Sequence, residues 1–376
     1  MKVSGLPLFQ GKLDIDFFAK QNVRGQAKEN LHLLFENRYV SIYTNNAIGL
    51  TGTTAAGKTS TLKVIAFVMA LLNGEAISTI PDRNILDGAE KVSIESVLAD
   101  EDMLYKTCTI VEIQRNINLD YNITEEYIWK KNISEIKTKR SLLEFADPYE
   151  KERENDSEYL KKDVSIVFSL TKNNSIQLSS KIQLTNINFM RYVRKIPEEL
   201  IEFLDPNIAY LKFNPETQEV RLKFYNEEEI TLPTPLLLEN YLSSGTIKGL
   251  NVFFDAMNRF KDGGYLIIDE LENHFNKELV SCLLRFFMSN HVNKQGATLI
   301  FSTHYLELLD ELERNDSIYV VRNSEGIRAE NLNTLIKRND MKKSEILESD
   351  YLGGTAPDYD AYMKLKKKMI ICGGGF

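Results

Sequence analysis

The chain has 376 residues, which is enough for one large domain or two ordinary ones and for a core that needs no disulfide or metal staples. Its composition, 43% hydrophobic and 27% charged, is typical of a soluble globular protein, and its net charge of −8 argues against a protein that coats nucleic acid unaided. No apolar run has the length of a membrane helix, and the three cysteines have neither metal-ligand nor disulfide spacing, so we expect a cytoplasmic protein without membrane contact.

Strands and one apolar helix are predicted in the first ninety residues. Residues 13–17 alternate apolar and acidic side chains, the period-two pattern of a half-buried strand. Residues 39–43 and 48–50 follow as β-rich segments. A loop rich in glycine, threonine and alanine then leads into an apolar helix over residues 58–73, which Gly74 is expected to close in the C′ position.

Residues 91–215 are predicted to form an insertion or lid that the core carries. A very charged segment, residues 149–163, is expected to be an exposed helix or loop. No heptad repeat is present, so the region is not a coiled-coil arm. The short β-rich stretches of the region are residues 105–113, 127–136, 164–170 and 176–184.

An α/β pattern occupies the last third of the chain. Residues 265–268 and 298–301 are continuous apolar runs, as expected of strands buried on both faces of a mainly parallel sheet. Residues 318–327 predict a hairpin near a sheet edge. The predicted division is therefore a first lobe at 1–90, the insertion at 91–215 and a second lobe with the tail at 216–376.

The sharpest motif, G-x-x-x-x-G-K-[ST], lies between the predicted strand 48–50 and the apolar helix. Its glycines let successive backbone N–H groups face a phosphate, and the helix adds the positive end of its dipole. Lys58 is predicted to reach the β- and γ-phosphates of ATP, and the Thr59 hydroxyl to bind Mg²⁺. An ordinary glycine-rich turn is the alternative, but it does not require this flanking strand and helix. The predicted nucleotide-binding residues here are Gly52, Thr53, Ala55, Ala56, Gly57, Lys58, Thr59 and Ser60.

Two adjacent acids, Asp269 and Glu270, end the predicted strand 265–268. Burying carboxylates at this position is costly unless they have a cation or a catalytic task. We expect Asp269 to hold Mg²⁺ through water and Glu270 to act as the general base on the attacking water. The alternative, an N-cap acid at a strand-to-helix turn, explains one carboxylate but poorly explains both.

Two further segments resemble motifs of ABC ATPases. Residues 242–246, Leu-Ser-Ser-Gly-Thr, lie shortly before the acidic strand and are similar to the signature that contacts the γ-phosphate bound by an opposing subunit. That resemblance implies nucleotide contacts by Ser243, Ser244 and Gly245, whereas the alternative is a plain helix N-cap. His304, which ends the predicted strand 298–301, falls where ABC ATPases have a switch histidine, and the resemblance implies a catalytic role for it.

The four motifs in this order resemble the ABC ATPase superfamily across most of the chain. The sequences D-E-x-E-N, S-T-H and S-S-G-T are more narrowly similar to the RecF/OLD-related AAA family (AAA_15/AAA_21-like) found in bacterial anti-phage defence systems. The resemblance implies an α/β fold, an ABC ATPase head in which a P-loop NTPase core of mixed β-sheet has helices on both faces. The insertion at 91–215, with β-rich and helical segments, would lie between the P-loop and the signature.

The resemblance further implies a homodimer that encloses ATP and Mg²⁺ between two heads and opens after hydrolysis. We expect this closing and opening of the dimer to control a separate effector protein, a nuclease or toxin, in anti-phage defence. The alternative is a RecF-like DNA clamp, in which nucleic acid is the partner, and a transporter ATPase subunit fits less well because Thr246 has no glutamine after it. The Q-loop glutamine stays open among Gln114, Gln177 and Gln183. Residues 350–358 and the basic tail are a candidate docking surface, unless they simply pack on the head.

Overall fold

The computed structural model describes every residue except 24, 29, 101, 116–118, 155–159, 172–174, 183–195, 215, 274, 339–340, 350, 354–358 and 374–376. Its strands are β1 (Lys2–Ser4), β2 (Lys12–Asp14), β3 (Leu31–Glu36), β4 (Ser41–Asn45), β5 (Ala47–Thr51), β6 (Lys91–Asp100), β7 (Met103–Arg115), β8 (Leu119–Asn132), β9 (Lys151–Glu152), β10 (Leu178–Ser180), β11 (Ile208–Phe213), β12 (Val220–Phe224), β13 (Ile230–Leu232), β14 (Tyr265–Ile268), β15 (Thr298–Ser302), β16 (Ile318–Asn323) and β17 (Ile327–Asn331).

The α-helices are α1 (Lys58–Leu72), α2 (Phe168–Thr171), α3 (Glu198–Leu204), α4 (Ser244–Asp262), α5 (Lys277–Met288), α6 (Leu332–Leu335), α7 (Lys343–Glu348) and α8 (Tyr359–Gly373). Short 3-10 helices span Gly25–Lys28, Ile77–Thr79, Arg83–Leu86, Ile133–Glu135, Pro235–Asn240, Leu306–Glu311 and Asn315–Ser317.

A six-stranded sheet in the order β10-β14-β15-β5-β16-β17 forms the centre of the molecule. Its first five strands are parallel, and β17 pairs antiparallel with β16 at the edge. β5 and β15 are buried along their whole length, because their apolar side chains are covered on both faces. The predicted parallel strands and the predicted edge hairpin are confirmed. All the carboxyl ends of the parallel strands therefore lie at one edge of the sheet.

Helices cover both faces of this sheet, as an α/β fold requires, so the predicted fold class is confirmed. α1 lies on one face, in a hydrophobic core that also contains residues of β1 and β6–β8. α4 and α5 lie on the other face, in a second core with β11–β13. Gly74 follows α1 with a φ of 79°, which is the left-handed C′ conformation that the sequence predicts.

A second, antiparallel sheet has the order β2-β1-β6-β7-β8-β9 and packs over α1. Within it, Lys2 of β1 lies opposite Glu95 of β6, so both sides of the predicted boundary at residue 90 share one sheet. β10, from the predicted insertion, is an edge strand of the central sheet. The boundaries 1–90, 91–215 and 216–376 stay predictions, but β6–β8 pack over α1, β10 joins the central sheet and β11 belongs to the second core.

The structure differs from several local predictions. Residues 164–170 form turns and the start of α2 instead of a strand. The buried Glu126 carboxylate accepts hydrogen bonds from Ser165 Oγ at 2.6 Å and from the Ile166 N–H at 2.7 Å. A side chain therefore pairs the backbone N–H of Ile166 that a neighbouring strand would otherwise pair. The strand predicted at 127–136 ends at Asn132 in a 3-10 turn. Of the candidate docking segment 350–358, only residues 351–353 are described.

Candidate nucleotide site

The loop between β5 and α1 has a backbone that only glycine can provide at two positions. Gly52 and Gly57 have φ values of 153° and 98°, in the region that side chains rarely adopt. A Cβ on Gly52 would lie 2.1 Å from the carbonyl oxygen of Val321 in β16, and one on Gly57 would lie 2.5 Å from the side chain of Ile327 in β17. The edge hairpin therefore packs directly against the loop and leaves room for a bare backbone only.

Lys58, the first residue of α1, points back over this loop. Its side chain is 6% exposed, and its Nζ donates hydrogen bonds to the carbonyl oxygens of Gly52 at 3.0 Å and Thr53 at 3.2 Å. Burial lowers the pKa of Lys58, and Asp269, Glu272 and Glu270 oppose that shift. The ammonium group is thus held among carboxylates at the open end of the loop, where a phosphate would be a competing acceptor.

Asp269 follows β14 and has both carboxylate oxygens engaged. Thr59 Oγ1 donates to its Oδ2 at 2.7 Å, and Ser302 Oγ donates to its Oδ1 at 2.5 Å. A carboxylate and a hydroxyl oxygen in contact suit Mg²⁺, which binds a few protein oxygens and completes its shell with water and substrate phosphate. No cluster of three or more His, Cys, Asp or Glu ligands occurs among the described residues. The donor set therefore fits an ion shared with a phosphate ligand.

Glu270 has a left-handed backbone, with a φ of 46°, and its side chain faces the same open space. Its N–H donates to Ser302 Oγ at 2.8 Å, and one of its carboxylate oxygens, Oε2, accepts from Asn273 Nδ2 at 2.5 Å. Lys248 Nζ of α4 donates to the carbonyl oxygens of Glu270 at 3.4 Å and Asn273 at 2.5 Å. Burial lowers the pKa of Lys248 to about 8, and Glu272, Glu270 and Asp269 oppose the shift.

His304 lies two residues after β15, and its side chain is exposed. Its backbone N–H donates to Glu272 Oε1 at 2.6 Å, which ties the end of β15 to the turn after the acidic pair. His304 therefore lines the same pocket as Glu270, at the carboxyl edge of the sheet.

An open pocket joins these residues. It contains most of the predicted loop residues, both acids and the histidine, while Gly52 and Thr53 adjoin it through their bonds to Lys58. It also contains Leu8, Asn323 and Ile327, which have no motif that marks them in the sequence. The lining residues are Leu8, Thr54, Ala55, Ala56, Gly57, Lys58, Thr59, Ser60, Asp269, Glu270, His304, Asn323 and Ile327.

The three candidate signature residues are not part of this pocket. Ser243 is the N-cap of α4, and its Oγ accepts from the Thr246 N–H at 3.0 Å. The N-cap geometry of the alternative interpretation is therefore present. The N-cap does not exclude ligand binding at this position, because backbone N–H groups at the exposed start of a helix also bind anions. A nucleotide contact by Ser243, Ser244 or Gly245 stays a prediction.

The structure locates two of the three Q-loop candidates away from the pocket. Gln114 is exposed on β7 of the antiparallel sheet. Gln177 precedes β10, and its carbonyl oxygen accepts from the N–H of Tyr265 at the start of β14, so it lies at the amino edge of the strands. Gln183 follows the carboxyl end of β10 but lies outside the described residues.

One family model matches residues 48–310, well over half of the chain, and its description is "AAA domain, putative AbiEii toxin, Type IV TA system". No curated protein shows a significant match. The matched segment begins in β5 and includes the loop, α4, both acids and His304. Among the described helices, none is both long and apolar enough to cross a membrane.

Proposed function

Because this chain belongs to the AAA domain family whose model matches it, we propose that it binds and hydrolyses ATP as an ABC-type ATPase head. The single observation that carries the proposal is the convergence of Lys58, Thr59, Asp269, Glu270 and His304 on one open pocket at the carboxyl edge of parallel strands. Ligands of open α/β sheets bind at that edge. The fold and the family support a P-loop ATPase in general.

Nucleotide binding would use side chains that form hydrogen bonds within the protein in this structure. The phosphates would replace the carbonyl oxygens of Gly52 and Thr53 as acceptors for Lys58, and the backbone N–H groups of the loop would face the β-phosphate. Thr59 and Asp269 would hold Mg²⁺, which when bound neutralises charge on the phosphates. The exposed Leu8 side chain and Ile327 would contact the nucleotide away from its phosphates.

Hydrolysis would use Glu270 as the general base. Its carboxylate accepts the proton as the water oxygen bonds to the γ-phosphorus, and the bond from that phosphorus to the bridging oxygen breaks to release ADP. Asn273 holds one carboxylate oxygen, which leaves the other for the water. His304 would contact the γ-phosphate from the end of β15.

A second head would complete the site. Ser243, Ser244 and Gly245 lie outside the pocket of their own chain but at the exposed start of a helix, which suits a phosphate bound elsewhere. Two heads related by a two-fold axis would each offer this helix start to the other and enclose two ATP molecules. Because ATP then bridges both chains, nucleotide binding and dimerisation are thermodynamically linked.

The dimer would act as a cytoplasmic switch for a separate effector protein in anti-phage defence. The net charge of −8 favours a protein effector over the DNA-clamp alternative, since a clamp gains its affinity from cationic contacts with phosphates. Copurification of an effector with an ATP-trapped head would support this role, whereas salt-sensitive, ATP-dependent binding to duplex DNA would support the clamp.

Substitution of Lys58 and Glu270 tests the ATPase itself. Lys58→Ala is expected to abolish ATP binding, and Glu270→Gln to bind ATP, lose hydrolysis and accumulate as a dimer in size-exclusion chromatography with light scattering. Matched controls are Lys63→Ala in the same helix and Glu278→Gln, an exposed acid in α5. Wild-type hydrolysis rates in the Glu270→Gln protein would refute the catalytic assignment, and ATP binding by Lys58→Ala at wild-type affinity would refute the site.

A further inference from the structure

Lys248 connects two parts of the proposed ATPase that belong to different elements. It lies five residues after the Ser243 N-cap, about 7.5 Å along α4. Its Nζ reaches the turn after β14, where it donates to the carbonyl oxygens of Glu270 and Asn273 and lies 5.2 Å from the centre of the Phe275 ring. None of the motifs in the sequence includes this residue.

The turn that Lys248 contacts has a conformation that needs support. A non-glycine residue in the left-handed region costs about 1–3 kcal/mol and persists only where its surroundings hold it, and Glu270 has a φ of 46°. Ser302 holds the N–H of Glu270 from β15, and Asn273 holds its carboxylate from within the turn. Lys248 holds the carbonyl side of the same residue from α4. The orientation of the general base therefore depends on where α4 lies.

The first half of α4 packs closely against neighbouring elements, so we expect the helix to move as one rigid body. A Cβ on Gly249 would lie 2.6 Å from Leu204 Cδ2, which shows how closely α3 packs on the helix beside Lys248. Farther along, Asp255 pairs at 2.6 Å with the buried Lys181, directly after β10. A displacement at the start of α4 is thus passed to Lys248 within two turns of a continuous helix.

We propose that Lys248 is a positioning residue that couples the start of α4 to Glu270, so that engagement of Ser243–Gly245 by a second head's nucleotide aligns the general base in the first. The proposal rests on the proposed ATPase function and adds regulation to its site: each head would sense, through one lysine, whether its own helix start is occupied. Hydrolysis in the two sites would then be linked without any direct contact between them.

Kinetics of Lys248 variants distinguish positioning from a merely structural role. Lys248→Met keeps the length of the side chain and removes both hydrogen bonds, whereas Lys248→Arg retains donors for two carbonyl oxygens. For Lys248→Met we expect kcat to fall about tenfold or more, since small misplacements of a catalytic group carry large costs. ATP affinity, measured by calorimetry in the Glu270→Gln background, should stay within about twofold, because none of the phosphate-binding groups changes. Lys248→Arg should recover most of kcat.

Lys261→Met, an exposed lysine on the same helix, is the matched control and should behave as wild type. A kcat within about twofold of wild type for Lys248→Met would overturn the proposal, as would equal losses of kcat and ATP affinity, which indicate disrupted structure. If Lys248→Met fails to fold, the decision falls to Lys248→Gln, judged by the same two quantities. Absence of hydrolysis in the wild-type protein would instead refute the ATPase function on which the proposal rests.

Discussion

Ser302 connects both acids of the candidate site through a single hydroxyl. Its Oγ donates to Asp269 and accepts the N–H of Glu270, and the side chain is fully buried at the end of β15. Because it is buried and contacts both residues, Ser302 fixes the distance between Asp269, the expected metal ligand, and Glu270, the expected base. Its place directly before Thr303 and His304 in the sequence gives no indication of these bonds, because they form only where β14 and β15 lie side by side.

Removal of that hydroxyl should affect stability and hydrolysis together. Ser302→Ala removes the buried hydrogen bonds that Ser302 Oγ makes to the Asp269 carboxylate and to the Glu270 N–H, so the free energy of unfolding should fall by about 1–3 kcal/mol in denaturant titrations. Hydrolysis should slow more than ATP binding weakens, since Lys58 and the loop are unchanged. Ser281→Ala, a serine 4% exposed in α5, is the control for loss of a buried hydroxyl elsewhere. A Ser302→Ala protein with wild-type stability and rate would contradict this account.

At the scale of elements, a substitution at the start of α4 tests whether the nucleotide site is shared between two heads. Ser244 is the first residue of the helix, where a glutamate is well tolerated because it interacts favourably with the helix dipole. Ser244→Glu should therefore fold normally but repel a phosphate brought to this helix by a second head.

We expect the Ser244→Glu protein to bind ATP as a monomer and to lose ATP-dependent dimerisation in sedimentation velocity. Ser244→Ala, which adds no charge, is the comparison and should retain at least part of the dimer. If Ser244→Glu dimerises with ATP at the same protein concentrations as the wild type, this helix start does not face a phosphate.

The elements differ in how far the sequence could predict them. The loop, the acidic strand end and the buried strands β14 and β15 follow from local patterns, because each motif carries its own flanking strand or helix. The pairing of β1 with β6 could not be predicted, since strands almost ninety residues apart share no local signal. For the same reason the sequence does not indicate the contacts of Leu8, Lys248 and Ser302 at the site, because each of them joins distant segments.

At the scale of the whole molecule, a shared site predicts complementation between two inactive proteins. A dimer of one Lys58→Ala head and one Ser244→Glu head contains one site with an intact loop from the second head and an intact helix start from the first. Phosphate release should therefore appear when the two inactive proteins are mixed, and either protein alone should stay inactive. Mixing Lys58→Ala with Glu270→Gln is the control, because each site in that pair lacks either the lysine or the base. No recovery at protein concentrations that dimerise the wild type would refute the shared site.

The burial of α1 has a consequence for local unfolding. Twelve of the 15 residues of this helix are buried, with the central sheet on one side and the antiparallel sheet on the other. Amides in such a position exchange with deuterated solvent only when the core opens, so α1 should exchange near the rate of global unfolding. The loop before it contains the exposed residues Thr54 and Ala55 and should exchange sooner. Added ATP should then slow exchange in that loop much more than in α1, whose protection already approaches the limit that the fold sets.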